Sequence, residues 1–368
     1  MPDDVILGNH KLLNFESAAV LNSRQSAYPV GSDAWVRQTL RAVEYIAGRG
    51  WTVVTSVGMN TWELVLACAA KIGMPVIVIA AIGETSIEDL IAQYGLSPDN
   101  LCLTTPHGRV SDKERRLTGR DTAVCRRADW LIPVAVRPDG NLERLLDSAG
   151  GRVFNRYRIP YKKPKRKRPV YSGKSFSDEL SDDHWLIHFT RSCRGPWPGE
   201  TCLDYYRAVL HSNCDYCHCA REGLQKIIRE GIIRGSTRNI RSGHRVVAFT
   251  LYNSEAARNL FRYRSRLANP YFEPYGIAVA KSWADRIGLY PVVYGDDEIY
   301  NGMAEAMRPY FQAEGEDGRW IGEREWRIVG DVALQQLNPD YTRIVVASPG
   351  EKALFDEGSA YPVSTVFG

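Results

Sequence analysis

Residues 51–82, WTVVTSVGMNTWELVLACAAKIGMPVIVIAAI, place a β-rich run, a glycine turn, a helix-like stretch ended by glycine and a second β-rich run in immediate succession. Short β-rich runs separated by helical stretches are the pattern of βαβ units, whose strands lie parallel in one sheet. Upstream, SAAVLN at 17–22 and AWVRQTLRAVEYIAGRG at 34–50 repeat the alternation, the helix again closed by glycine. The expectation is an α/β Rossmann-like parallel-sheet domain over residues 1–155.

Beyond it the pattern changes. WLIHFT at 185–190, VVAFTLY at 246–252, YGIAVA at 275–280, PVVYG at 291–295, EWRIVG at 325–330 and TRIVVAS at 342–348 read as strands, and CAREGLQKIIREGII at 219–233 as an amphipathic helix ended by glycine. Strands and helices mixed without strict alternation predict an α+β domain over 179–368. Two domains also suit 368 residues, because single cores stop growing at roughly 250–300.

Between them, YKKPKRKRPV at 161–170 carries Lys162, Lys163, Lys165, Arg166, Lys167 and Arg168 beside prolines. Like charges repel and proline blocks helix, so 156–178 reads as a basic linker. It serves either as a solvated tether or as a strap on the phosphates of DNA or RNA, where clustered Lys and Arg gain affinity by releasing counterions. The formal net charge of +4 implies no such partner by itself.

The composition, 44% hydrophobic and 24% charged, excludes wholesale disorder and fibrous classes. The opening MPDDVILGNHK lacks the basic and apolar regions of a secretory leader, and no apolar run approaches about 18 residues, so the expected location is cytoplasmic, without membrane. The eight cysteines are then reduced thiols or metal ligands. CDYCHC at 214–219 holds a CxxC pair, and Cys202, Cys214, Cys217 and Cys219 are candidate zinc ligands, although the spacing matches no standard finger.

In parallel sheets ligands bind beyond the carboxyl ends of the strands, where helix N-termini attract phosphate. That singles out Asn22, Ser23 and Arg24 after the first strand and Gly58, Asn60, Thr61 and Glu63 after the second. Asn60 and Thr61 equally suit a plain helix cap. The runs AVLNSRQS (19–26), SVGMNTWEL (56–64) and RLTGRDTAVCRRADWLIPVAVRPDG (116–140) resemble the SLOG superfamily of DNA-processing and LOG-type nucleotide-processing proteins, without the PGGxGTxxE motif of the LOG enzymes. The resemblance implies a nucleotide or nucleic-acid ligand held by Ser23, Arg24, Gly58, Asn60 and Thr61, with Arg120 and Asp121 near.

In the second domain, HFTR (188–191), GPWPGE (195–200), VVAFT, EPYGIAV (273–279), PVVYGD and EREWR (323–327) are similar to AbiGi-like proteins associated with phage resistance, and their order looks like the ADP-ribosyltransferase fold. That resemblance implies NAD as cofactor. His188 and Thr190 would hold the nicotinamide ribose or amide, Tyr275 or Phe249 would stack on the ring, and Glu325 or Glu323 would steady the oxocarbenium ion. Arg191 or Arg327 would meet the pyrophosphate, while Thr250 and Tyr294 complete the substrate site. Residues 323, 325 and 327 share one strand face, and two acids with a base suggest that this face is not core. A structural histidine at 188 and a charged edge strand at EREWR are the plain alternatives. Two further functions fit the same features: a hydrolase acting on an unusual, deazapurine-type base in DNA without NAD, and a non-enzymatic nucleotide-sensing defence protein. The mechanistic expectations rest on His188 and Glu325 meeting across one cavity.

Overall fold

The computed structural model describes residues 5–105, 113–163, 174–212, 217–237, 240–241, 243–261, 263–264, 269–270, 272–314, 322, 324–356 and 359–368. The chain divides into two compact units, one of Met1–Lys165 with Arg194–Cys217, the other of Arg166–Cys193 with His218–Gly368.

The first unit alternates strands β1 (Val5–Gly8), β2 (Ser17–Leu21), β3 (Thr52–Ser56), β4 (Val76–Ile79), β5 (Leu101–Thr105) and β6 (Trp130–Pro133) with helices α1 (Ala34–Gly48), α2 (Asn60–Ile72), α3 (Ile87–Tyr94), α4 (Lys113–Arg127) and α5 (Asn141–Asp147). The sheet order is β1-β5-β4-β3-β2-β6, parallel except for the antiparallel edge strand β1. Every residue of β2 through β5 is buried, because helices cover both faces of a parallel sheet and force its strands to be apolar on both sides. One face packs Val36, Val43 and Ile46 of α1 with Leu64, Val65 and Cys68 of α2. The other packs Val124 and Cys125 of α4 with Leu142 and Leu146 of α5. Helix α2 ends at Gly73 and α3 at Gly95, both left-handed, with φ of 78° and 64°, and glycine adopts that conformation without steric cost. The Rossmann-like architecture expected from 51–82 is therefore present.

The segment Arg194–Cys217, which sequence assigns to 179–368, groups with the first unit. Its helix α6 (Cys202–His211) has a Thr201 and Asp204 capping box and buries Leu203, Tyr205, Tyr206 and Val209 in the α1–α2 core. The expected linker 156–178 is also narrower. Tyr157 packs at the α1 face, Ile159 N–H donates to Val134 O at 2.8 Å, and Ser177 N–H donates to Val366 O at 3.0 Å in the second unit.

The second unit runs through β7 (Trp185–Phe189), α7 (Ala220–Glu230), β8 (Ile232–Ile233), β9 (Val246–Leu251), α8 (Ser254–Leu260), β10 (Tyr263–Arg264), β11 (Asn269–Pro270) and β12 (Gly276–Ala280). It continues with β13 (Tyr290–Pro291), β14 (Val293–Gly295), α9 (Asp297–Gly302), β15 (Phe311–Ala313), β16 (Glu325–Val329), β17 (Val332–Ala333), β18 (Thr342–Val346), α10 (Ala353–Asp356) and β19 (Val363–Thr365). Its main sheet, β13-β16-β9-β7-β12-β18-β19, is antiparallel apart from the β18–β19 pair. Leu186, Phe249, Ile277 and Ile344 face one core with Leu224 of α7, and Ile187, Phe189, Ala278 and Val345 face a second. This is the α+β arrangement that the sequence predicts. Among the described residues, no helix is long and apolar enough to cross a membrane.

Candidate functional site

In the first unit the connections step from β2 through β5 toward one edge, then jump back to place β6 on the other side of β2. The order reverses between β2 and β6, and the loops leaving their carboxyl ends part there, which opens a crevice in sheets of this type. Two residues stitch the loops. Asn22 Oδ1 accepts from Ala135 N–H at 3.2 Å while its Nδ2 donates to Thr39 Oγ1 at 2.9 Å. Ser23 N–H donates to Ala135 O at 3.0 Å, and Ser23 Oγ accepts from Arg137 N–H at 2.8 Å. Arg24 and Arg137 are exposed on these loops, and among the described residues neither guanidinium has an acidic partner.

The turn after β3 joins the same edge. Gly58 has φ +84°, which strains any other residue, and a Cβ there would stand 3.0 Å from Arg120 Nη1 and 3.1 Å from Glu84 Oε1, pressing on that ion pair. Arg120 reaches the turn from α4, donates to Val57 O and holds Glu84 by two bonds of 2.7 and 2.8 Å. Asn60 fixes the next loop, its Nδ2 donating to Ser26 O at 2.6 Å. Helix α2 then starts without a side-chain cap. The first N–H groups of a helix have no intrahelical acceptor, and those of Asn60 and Thr61 find none among the described residues. Thr61 Oγ1 and Trp62 Nε1 are buried without a hydrogen-bond partner. Asp121, whose carboxylate accepts from Asn141 Nδ2 at 3.2 Å, is pushed up to about 6 by burial, against the opposing pull of that bond and of Arg120.

The basic stretch begins at this edge as well. Phe154 N–H donates to Leu131 O and Ile159 N–H to Val134 O, so the chain runs along β6, and Tyr161 Oη donates to Arg24 O at 3.2 Å. Lys162 and Lys163 follow, exposed. Lys165, Arg166, Lys167 and Arg168 lie outside the described residues. The structure thus brings Ser23, Arg24, Gly58, Asn60 and Thr61 to one strand edge. Arg137, Tyr161 and Glu63 belong with them, and only the strand order, which sequence does not give, could have added Arg137.

The second unit overturns the proposed meeting of His188 and Glu325. Across β7, β9 and β16 the register sets Ile187 beside Thr250 and Thr250 beside Glu325. The next row is then His188, Phe249 and Trp326, with Phe249 paired to Trp326 and its ring centroid 5.8 Å from that of His188. Laterally paired residues share a face and successive residues alternate, so His188 and Glu325 point to opposite faces of the sheet. The transferase site and the hydrolase site both needed that pair in one cavity, and neither is retained.

The individual residues have other tasks. His188 is half-buried, and its Nδ1 pairs with Ala248 O at 2.9 Å. A carbonyl only accepts, so Nδ1 carries the proton in the neutral ring. Burial, helped by the charge of Arg191 and opposed by that bond, pulls its pKa down to about 4. Thr190 Oγ1 lies within 2.7 Å of Ala220 O and 3.0 Å of Tyr275 O, which commits its single proton to the backbone. Arg191 lies 4.8 Å above the Phe272 ring. Phe249 is a 1% exposed core residue and cannot stack on a ligand. Thr250 is buried in the Glu325 row, Tyr275 Oη donates to Glu351 Oε1 at 2.9 Å, and Tyr294 Oη accepts from Glu325 N–H at 3.1 Å.

Arg327, expected on an open face, is 1% exposed. Its Nε and Nη2 hold the two Glu325 oxygens at 2.8 and 3.2 Å, Nη1 donates to Pro309 O at 2.9 Å and Phe311 O at 2.7 Å, and Nη2 also donates to Gln312 Oε1 at 2.6 Å. A guanidinium has five N–H groups, and all are used, which leaves none for a pyrophosphate. Glu323 lies outside the described residues. Sequence did not single out Glu273, a buried carboxylate that accepts from Ser192 N–H at 2.7 Å and Ser192 Oγ at 2.9 Å; burial raises its pKa, against the pull of both bonds and of Arg191.

Among the described residues no group of three or more His, Cys, Asp or Glu side chains could hold a metal ion. Cys202 stands against Tyr94 at the start of α6, Cys217 is buried, Cys219 precedes α7, and Cys214 lies outside the described residues. Burial raises the thiol pKa values of both Cys202 and Cys219.

The first unit is thus a doubly wound α/β fold whose strand order reverses between β2 and β6. The chain matches no protein-family model and no curated protein. Among solved structures it is similar to DNA processing protein A from Helicobacter pylori over 42% of this chain and 73% of the other, with 14% identity and a TM-score of 0.32. It is also similar to DNA processing protein A from Streptococcus pneumoniae, over 39% and 50%, with 12% identity and a TM-score of 0.32. The molybdenum cofactor carrier protein from Chlamydomonas reinhardtii is similar over 38% and 74%, with 15% identity and a TM-score of 0.27.

Proposed function

We propose that the first unit binds the phosphate backbone of a nucleic-acid strand along the edge where β2, β3 and β6 end. The observation that carries this reading is a convergence at one strand edge: the uncapped start of α2, the guanidiniums of Arg24 and Arg137, which have no acidic partner among the described residues, and the entry of the basic stretch, pinned by Tyr161 to Arg24 O. An open helix start offers N–H donors and a partial positive charge. The arginines add charge-assisted, two-pronged bonds to phosphate oxygens, and the lysines extend the path for further phosphates. The buried, unpartnered Thr61 Oγ1 supports the same location, because buried polar atoms in folded proteins are nearly always satisfied.

The test is fluorescence anisotropy with a labelled single-stranded oligonucleotide of about 20 nucleotides, titrated at several salt concentrations. Each neutralised phosphate contributes about 0.7 to the slope of log affinity against log salt for a single strand. Arg24→Ala with Arg137→Ala is expected to weaken binding and flatten the slope by roughly 1.4. Binding that is absent at low salt, or a slope that the double variant leaves unchanged, refutes the proposal.

A further inference from the structure

Resting on the phosphate site just proposed, the inference concerns what keeps that site open. Arg194–Cys217 leaves the end of β7 and returns at α7, and its two stems meet where Cys193 N–H donates to His218 O at 2.8 Å. The finger so formed grips the loops around the phosphate edge. Arg194 stacks 5.4 Å above the Tyr28 ring, and Ser212 Oγ accepts from Gly31 N–H at 3.0 Å. Gly31 lies so close to the finger that a Cβ there would come within 2.5 Å of Leu210 O.

At the centre of this grip is Glu63, in the first turn of α2. Its Oε1 accepts from Gly58 N–H at 3.0 Å, and its Oε2 accepts from Tyr206 Oη, on the finger, at 2.8 Å. Burial, reinforced by the neighbouring Glu63 carboxylate, raises the Tyr206 pKa, so the hydroxyl remains a donor. A carboxylate this close to an uncapped helix start is the natural internal partner for the unpaired N–H groups of Asn60 and Thr61. Seated there, it would occupy the donors that a phosphate needs and add a negative charge beside them.

We propose that Tyr206 is a positioning residue of the phosphate site: it holds Glu63 off the first turn of α2, and release of the finger lets Glu63 cap that turn and shut the site from within. The finger thereby makes anion binding in the first unit depend on a segment whose two ends belong to β7 and α7.

The experiment compares the full-length protein with Tyr206→Phe, Glu63→Gln and the combined variant, using the same labelled oligonucleotide. Tyr206→Phe is expected to weaken binding on the order of tenfold, the upper range for a charge at a helix terminus, and Glu63→Gln in the same chain is expected to restore it. Arg194→Ala with Ser212→Ala loosens the finger from its other end and carries the same expectation, including rescue by Glu63→Gln, should Tyr206→Phe not fold. Unchanged binding in the finger variants overturns the inference. So does weakened binding that Glu63→Gln leaves weak, since that marks mere loosening of the fold. A wild-type protein that binds no oligonucleotide overturns the phosphate site itself, a result separate from either.

Discussion

Replacing Arg327 with methionine removes five N–H donors and one positive charge from the interior of the second unit while keeping most of the side chain's apolar length. Left behind are Glu325, whose side chain is 14% exposed, and the carbonyls of Pro309 and Phe311. Removing one partner of a buried ion pair costs about 3–5 kcal/mol, because the remaining charge stays desolvated. Each carbonyl adds at most about 1–3 kcal/mol where water does not reach it. The ion-pair loss alone, about 4 kcal/mol, corresponds to a fall of about 8–16 °C in Tm for a domain of 150–250 residues, at about 2–4 °C per kcal/mol. Urea unfolding followed by tryptophan fluorescence, with Trp326 beside the mutated position, measures the loss. Adding Glu325→Leu to Arg327→Met is expected to return a substantial part of it, since replacing both partners of a buried pair with apolar groups is often neutral. A cost for Arg327→Met below about 1 kcal/mol, or a second substitution whose effect simply adds to the first, refutes the assignment of this pair as the interior brace of the sheet.

Two further outcomes concern pH. The Asp121 carboxyl is raised to about 6, so the folded state binds its proton more tightly than the unfolded state; stability from this group is full below the unfolded value and is lost as pH rises through about 6. Asp121→Asn should remove that loss, and oligonucleotide binding by the wild type should tighten as pH falls through this window, with a variant that keeps the wild-type profile counting against the assignment. His188, lowered to about 4, works in the opposite sense: the unfolded state takes up the proton first, so stability falls as pH drops from about 6.5 toward 4. His188→Gln should flatten unfolding free energy against pH over that interval, and identical slopes in variant and wild type would show that the ring is solvated.

Much of the first unit was legible because each run carried its own signal. Residues 76–79 are apolar on both faces and Val53 and Val54 carry the same signal at the centre of β3, as doubly covered parallel strands require, and glycines mark the ends of α2 and α3. Strands β7, β9, β12, β16 and β18 of the second unit were equally visible, but its chemistry was not. Alternation along EREWR tells which of its residues share a face, whereas nothing in it tells how β16 is offset against β9 and β7, and one residue of offset decides whether Glu325 joins His188 or opposes it. Arg327 misled for a related reason: an arginine in such a run reads as exposed, and the Gln312 amide and the carbonyls of Pro309 and Phe311, which the fold brings in beside Glu325, offset its burial. The finger did leave a trace, since Leu203, Tyr206 and Val209 repeat at helical spacing. That stripe shows a helix with something to cover, and the sequence between it and residue 165 gives no reason to look backward for the core it completes.

The finger also sets an order of events during synthesis. Tyr206 and Val209 fill positions in a core whose other walls come from residues 18 to 135, so the first unit remains unfinished on the ribosome until the chain has grown past β7. For the same reason a protease cut within the basic stretch leaves residues 1–165 held to the rest of the chain by the packing of the finger alone, and the nicked protein would migrate as one particle until denatured.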